Sequence, residues 1–324
     1  MKILVVGGAG YIGSHTVLAL LEAGFAVTVY DNLSTGCKDN IFHKTSFVQG
    51  DILDYNRLKG VLKKGFTAVI HLAALKAAGE SMLKPELYAT NNITGTINLL
   101  NACLETGINY FIFSSSAAIF GEPQYTPVDE KHPQKPLNFY GFTKLNIEEL
   151  LAWYSKLKGI YYISLRYFNA AGYDPELRVR AVEKSPQNLL PIIMEVAIGK
   201  RPALSIFGND YLTRDGTCIR DYIHVTDLAS AHVASLKYLL EKKESEVFNL
   251  GSERGVSVLE MLKAARRITA REIVAHFSKR RPGDSPSLIA SSQKAKAVLG
   301  WKPRYSDLDT IISTTWEVYR LKYA

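Results

Sequence analysis

Tyr140 and Lys144 stand four residues apart, Y-x-x-x-K, in a stretch whose next apolar residues, Ile147, Leu150 and Leu151, are spaced as in a helix. On a helix that spacing puts both side chains on one face. A free phenol titrates near about 10 and is a poor base at neutral pH. A neighbouring ammonium favours the phenolate, and together with a second positive charge beside the ring it is expected to move the pKa toward about 7, where a general base works best. The pair alone occurs by chance in many helices. Its weight comes from lying after Tyr110 to Phe113, an apolar run that ends in the hydroxyls of Ser114, Ser115 and Ser116.

The elements that must position this pair begin at the N-terminus. Ile3 to Val6 is an apolar run of strand length that ends in Gly7, Gly10 and Gly13, and the helical pattern Val17, Leu18, Leu20, Leu21 follows at once. A strand, a tight glycine turn and a helix make a diphosphate cradle, because helix-start N–H groups and the helix dipole point at the anion. Phe25 to Tyr30 is a second strand and ends in Asp31, 24 residues after Gly7. That is where a dinucleotide fold places its ribose-binding acid, and a carboxylate there repels a 2′-phosphate, so NAD is favoured over NADP.

Strand-like and helix-like segments then alternate: Ser46 to Gln49, Ala68 to His71, Asn91 to Leu104, Tyr110 to Phe113, the Tyr140 helix and Ile160 to Leu165. Alternation of this kind predicts an α/β fold, a doubly wound parallel sheet with a second, smaller α/β domain. Small residues after Ala68 to His71 would let the chain pass close beneath a cofactor, and His71 itself is read as structural. Beyond Asn169 the loops lengthen, while Thr226 to Leu240 and Val247 to Leu250 are regular enough to return to the first sheet. The expected division is 1–168 plus 222–250 for the dinucleotide and 169–221 plus 251–324 for the substrate.

The chain has 324 residues, 47% hydrophobic and 22% charged, with a formal net charge of +8. Its basic residues are scattered in short clusters without an aromatic stripe, which argues against nucleic acid and fits anionic small molecules. Cys37, Cys103 and Cys218 form no metal or disulfide pattern and read as reduced thiols of a cytoplasmic protein. No apolar run is long enough for a bilayer, so neither a membrane nor a metal is expected.

The combination resembles the extended branch of the short-chain dehydrogenase/reductase superfamily, and within it the UDP-glucose (UDP-galactose) 4-epimerase family. The resemblance covers nearly the whole chain. It includes Gly-Gly-Ala-Gly-Tyr-Ile-Gly-Ser-His at 7–15, Asp31-Asn32-Leu33, Gly50-Asp51-Ile52 and Leu75 to Ser81. It continues through Ser114 to Ala117, Arg166-Tyr167-Phe168-Asn169 and Asn188-Leu189-Leu190-Pro191. Ile206 to Tyr211, and Asp215-Gly216-Thr217 through Arg220 to Val225, are the most specific stretches.

The resemblance implies a reaction in which a tyrosine removes the sugar 4-hydroxyl proton while the C4 hydride passes to tightly held NAD. The 4-keto sugar then turns over and the hydride returns to its other face. By this likeness Tyr140 is the base, Lys144 its pKa-lowering and ribose-binding partner, and Ser116 the hydroxyl in the proton path. The positive nicotinamide ring also favours the phenolate. Cofactor contacts are implied for Gly7, Gly10, Tyr11, Ile12, Gly13, Asp31, Asn32, Asp51, Ile52, Leu72, Ala73, Lys76, Asn91, Ser114 and Phe168, besides Tyr140 and Lys144. Substrate contacts are implied for Lys76, Ser116, Tyr140, Asn169, Asn188, Leu189, Arg220, Arg281 and Asp284. Guanidinium forks at Arg220 and Arg281 suit a diphosphate. A homodimer built on the helices at 91–104 and 140–154 is implied by the likeness alone.

Three departures stand out. Ala118 replaces a usual threonine, Val6 replaces the threonine before the glycines, and Leu288 occupies a position whose bulk gates N-acetylated sugars. Acceptance of UDP-N-acetylhexosamines, UDP-pentoses or UDP-uronates stays open. A 4,6-dehydratase needs an acid where this chain has Ala117 and Ala118, which argues firmly against it. A non-catalytic NAD sensor need not keep base, lysine and hydroxyl together, so that reading ranks last.

Overall fold

The computed structural model describes residues 1–183, 186–281 and 283–323. The first part runs β1 (Lys2–Val6), α1 (Tyr11–Glu22), β2 (Ala26–Asp31), β3 (Ser46–Gln49), α2 (Tyr55–Leu62) and β4 (Ala68–His71). It continues with α3 (Ala78–Leu83), α4 (Pro85–Tyr88), α5 (Gly95–Glu105), β5 (Tyr110–Ser116), α6 (Phe139–Lys158) and β6 (Tyr161–Tyr167). Next come β7 (Asn169–Ala171), α7 (Leu189–Ala197), β8 (Leu204–Phe207), β9 (Ile219–His224), α8 (Val225–Lys242) and β10 (Glu246–Leu250). The chain ends with β11 (Gly255–Ser257), α9 (Val258–Thr269), β12 (Ala275–Ser278), β13 (Ser287–Leu288), α10 (Gln293–Leu299) and α11 (Leu308–Tyr323).

Seven strands form one parallel sheet in the order β10-β6-β5-β4-β1-β2-β3. The order reverses between β1 and β4, the place where a doubly wound sheet opens a crevice at its strand ends. Ile3, Leu4, Val5 and Val6 are fully buried, because both faces of the sheet are covered and a parallel strand must then be apolar throughout. One core joins the sheet to α1 and α8; another joins it to α2, α5 and α6. The expected doubly wound sheet is the one observed.

A third core packs α7, α9 and α11 around Ile193, Met194, Met261 and Ile312. Beside it β9 lies between β11 and β13 and also pairs with β7, while β8 pairs with β12. The return to the large sheet therefore starts with α8 at Val225 rather than at Tyr222, since Tyr222 to His224 belong to β9 in the smaller sheet. Asn91 to Leu104 is likewise not one regular helix: Ala89–Thr94 is a wider π turn that leads into α5. Among the described residues no helix is long and apolar enough to cross a membrane.

Asp227, in the first turn of α8, ties the end of the chain to the large sheet. Its carboxylate accepts from the N–H groups of Arg304 (2.8 Å) and Tyr305 (2.9 Å) and from the Ser306 hydroxyl (2.6 Å). Asp227 is 2% exposed, so loss of its carboxylate leaves three donors without their acceptor. Asp227→Ala should lower the unfolding free energy by about 2–4 kcal/mol in denaturant titrations, and an unchanged midpoint would contradict this anchoring.

Candidate active site

The glycine turn is shaped by what a side chain would strike. A Cβ on Gly7, whose φ is +84°, would lie 2.5 Å from the Ala73 nitrogen, and one on Gly13 would collide with the Gly7 carbonyl. At Gly10 the same atom would meet only the Gly7 oxygen, at 3.3 Å. Gly10 is the N-cap of α1 and no side chain caps this helix. The N–H groups of Tyr11, Ile12 and Gly13 thus face the crevice as an anion cradle. The Tyr11 hydroxyl is turned away and donates to the Gly172 carbonyl.

Asp31 ends β2 beside this turn. Its carboxylate accepts the Ala9 N–H (2.9 Å) and the Leu33 N–H (2.8 Å). Burial raises its pKa, against the pull of those two donors. Each oxygen keeps a free lone pair, enough for two vicinal hydroxyls. Nearby, Asn32 donates to Asp51 (2.8 Å), which also accepts the Leu53 N–H, and Ile52 packs on Gly95. Leu72 and Ala73 leave β4 with both N–H groups on the Val6 carbonyl, at 2.8 and 3.0 Å. These residues fit a dinucleotide: a backbone cradle without side chains, then a carboxylate one strand away.

Asn138 caps α6, accepting the Gly141 N–H at 2.9 Å, and Gly159 ends the helix with φ +72°. The Tyr140 N–H donates to the buried hydroxyl of Ser81 on α3 (3.0 Å). Tyr140 itself is half-buried. Lys144 is 2% exposed, and its ammonium donates to the Ser114 carbonyl at 2.6 Å, 5.8 Å from the Tyr140 ring. Ser116 accepts the Ala118 N–H (3.2 Å), which leaves its own proton free to face the Tyr140 phenol. A Cβ on Gly141 would strike the Ala118 carbonyl, so this glycine lets α6 meet the turn after β5.

The depression of the tyrosine pKa is expected from the lysine and a nicotinamide ring together; in the protein by itself the shift is upward. Burial raises Tyr140, against the lowering effect of Ser116. Burial also lowers Lys144 to about 7, against the opposing field of Glu148. A half-charged lysine that is itself desolvated cannot offset the desolvation of the phenol.

The substrate-side residues are only partly drawn together. Arg220 donates to the carbonyls of Ile219 (2.9 Å) and Ser285 (2.8 Å) and to Asp284 (3.2 Å), so part of its fork is already engaged. Arg281 is exposed and lies over the Phe207 ring at 4.3 Å, while its carbonyl accepts the Asp284 N–H at 3.2 Å. Lys76, expected near phosphates, pairs with Glu183. Asn169 donates to the Asp221 carbonyl (3.0 Å), Asn188 stands at the N-cap position of α7 without a side-chain capping bond, and the Phe168 N–H donates to the Leu250 carbonyl. Asn91 donates to Asn92 (2.9 Å).

Sequence reasoning missed Asn92, Ser81, Gly141, Glu148 and Phe207. Asn92 is buried and clamps Leu75, accepting its N–H and donating to its carbonyl, and it reaches Thr143 on α6 at 3.2 Å. Ser81 and Phe207 lie in stretches that carry the family resemblance and Glu148 extends Y-x-x-x-K by four more residues, whereas Asn92 and Gly141 have no such signal.

A model of the family described as GDP-mannose 4,6 dehydratase matches residues 4–315. The UDP-glucose 4-epimerase of Lacticaseibacillus casei is 47% identical over 317 residues, 98% of this chain and 96% of that protein. The crystal structure of UDP-glucose 4-epimerase from Brucella ovis in complex with NAD has a TM-score of 0.96 at 45% identity, covering 98% of both chains. The UDP-glucose 4-epimerase of Thermotoga maritima with UDP-glucose has a TM-score of 0.88 at 33% identity over 100% of both chains. With the glycine cradle, Asp31 and the Tyr140–Lys144–Ser116 cluster on one crevice, this chain belongs to the extended short-chain dehydrogenase/reductase family, in its UDP-glucose 4-epimerase group.

Proposed function

We propose that the protein is an NAD-dependent isomerase that interconverts UDP-glucose and UDP-galactose by inverting C4 of the sugar. The observation that carries this reading is the meeting of the Tyr140 phenol, the Ser116 hydroxyl and the Lys144 ammonium at the end of β5, beside a dinucleotide cradle. Bound NAD would supply the two-electron acceptor and donor at C4. Relatives support the cofactor and the sugar, since solved family members hold NAD or UDP-glucose.

In this reading Tyr140 takes the proton from the sugar 4-hydroxyl and later returns one to the new 4-hydroxyl, with Ser116 passing or steadying it. Lys144 holds the ribose side of the cofactor, and a positive ring bound next to Tyr140 adds the field that the lysine alone does not provide. Gly7, Gly10, Gly13 and the first N–H groups of α1 hold the diphosphate, with Asp31, Asn32, Asp51 and Ile52 at the adenosine end. Arg220 keeps two of its five N–H groups for a substrate phosphate, beside Asn169, Asn188, Arg281 and Asp284. Ala117 and Ala118, in the turn after β5, offer no proton for dehydration.

The same reading divides the work between the large-sheet lobe and the smaller one, close to 1–168 plus 222–250 and 169–221 plus 251–324. It includes a cytoplasmic protein, supported by three free thiols. It also includes a homodimer through α5 and α6, supported by the exposed side chains of Phe142, Trp153 and Leu157 on α6.

Purified protein mixed with UDP-galactose should form UDP-glucose without added nicotinamide, because the redox change closes within each cycle. No conversion even with added NAD would reject the hexose reading. Tyr140→Phe should retain NAD and lose at least about 100-fold in kcat; retained turnover would remove Tyr140 as the base. Lys144 also gives the NAD-free protein a pH signature. Its folded value of about 7 lies below the 10.5 of an unperturbed lysine, so between them the unfolded chain binds more protons and stability rises with pH. Denaturation midpoints should climb from about pH 7 to about pH 9, and Lys144→Met should flatten that climb.

A further inference from the structure

Three residues of α6 at i, i+4 and i+8 meet the three serines that end β5. Tyr140 faces the Ser116 hydroxyl, Lys144 takes the Ser114 carbonyl, and the Glu148 carboxylate accepts the Ser115 hydroxyl. The Ser115 hydroxyl points to α6, where Glu148 lies. Its neighbour across the ladder is Arg166 on β6, and Arg166 grips the same carboxylate through Nε (3.1 and 3.2 Å) and Nη2 (2.6 Å). Ser115, Glu148 and Arg166 are 1%, 7% and 3% exposed.

The Glu148 carboxylate makes no hydrogen bond to the Tyr140 phenol or the Lys144 ammonium, and it reaches the site through its field on Lys144. A buried ion pair is also a weak source of stability by itself, because desolvation of both charges offsets their attraction. What the arrangement does is geometric. Glu148 is fixed by the Arg166 fork, and the Ser115 hydroxyl fastens β5 to that fixed point. The residues on either side of Ser115 are the two that face the base and its lysine.

We infer that Ser115 and Glu148 are positioning residues for the proposed epimerase chemistry, holding the end of β5 so that Ser116 and the Ser114 carbonyl stay in register with Tyr140 and Lys144. This rests on the function proposed above. Neither residue is a catalytic group; both act through the strand. Displacement of a reacting group by a fraction of an ångström to an ångström costs roughly one to two powers of ten in rate.

Ser115→Ala is the informative variant, because it removes the fastening and leaves the Glu148–Arg166 pair, and with it the fold, in place. Wild type and variant are compared as purified holoenzymes with UDP-galactose. The expected result is a fall in kcat of about tenfold with KM, NAD content and melting temperature unchanged. A larger primary isotope effect on kcat with C4-deuterated UDP-galactose should accompany it, because the chemical step becomes slower than product release. A kcat within twofold of wild type would overturn the inference. So would a fall explained by lost NAD or a lower melting temperature, which would make the contact merely structural. Absence of turnover in the wild type would instead remove the function on which the inference rests, so the two failures are separable.

Discussion

The backbone of the turn after β1 lies directly against the backbone leaving β4, with no space for a side chain between them. Gly7 touches Ala73, Gly13 touches Gly7, and the N–H groups of Leu72 and Ala73 close on the Val6 carbonyl. This close approach opens the crevice at the switch point and leaves the start of α1 uncapped, so the polar groups that an anion needs are backbone groups in fixed positions. The constraint travels further. The segment beyond Ala73 is clamped at Leu75 by Asn92, and Asn92 reaches Thr143, the residue before Lys144. A hydrogen-bonded path thus runs from the glycine turn to the helix that carries the base.

Along that helix, charge is placed against the usual preference of a protein interior. Lys144 is buried with a carbonyl as its direct partner, and burial brings its pKa to about 7. Tyr140 is raised in the same surroundings. Both shifts have one origin, the loss of water around an ionic form, and a positive ligand charge opposes the shift of the phenol. The protein alone therefore keeps its phenol protonated at neutral pH. A cation seated beside the ring would convert it into a base, which couples the readiness of the site to its occupancy.

The smaller lobe is held together by a buried carboxylate. Asp221 on β9 accepts from the Ser252 N–H (2.7 Å) and hydroxyl (2.7 Å), the Glu253 N–H (3.0 Å) and the Ala290 N–H (3.1 Å), all in segments that follow β10 or β13. The residue before it is Arg220, whose guanidinium donates to the Ile219 and Ser285 carbonyls and to Asp284. One fixed carboxylate thus orients the neighbouring guanidinium, and its four hydrogen bonds join the segments after β10 and β13 to β9.

Local pattern was enough for the parts of this protein that depend on nearest neighbours in the chain. The run Ile3 to Val6 with its glycines, the acid at the end of β2, the helical spacing of Tyr140 and Lys144 and the alternation of strands and helices each express a period or turn visible in a few residues. Contacts between distant segments had no such trace. The Lys76–Glu183 pair, the clamp at Asn92, the place of Gly141 under Ala118 and the joining of Ser115, Glu148 and Arg166 depend on which surfaces meet after folding. The direction of the Tyr140 pKa belongs with them. Sequence spacing identified the ammonium beside the phenol, but burial of both groups, which only the packed fold creates, decided the balance.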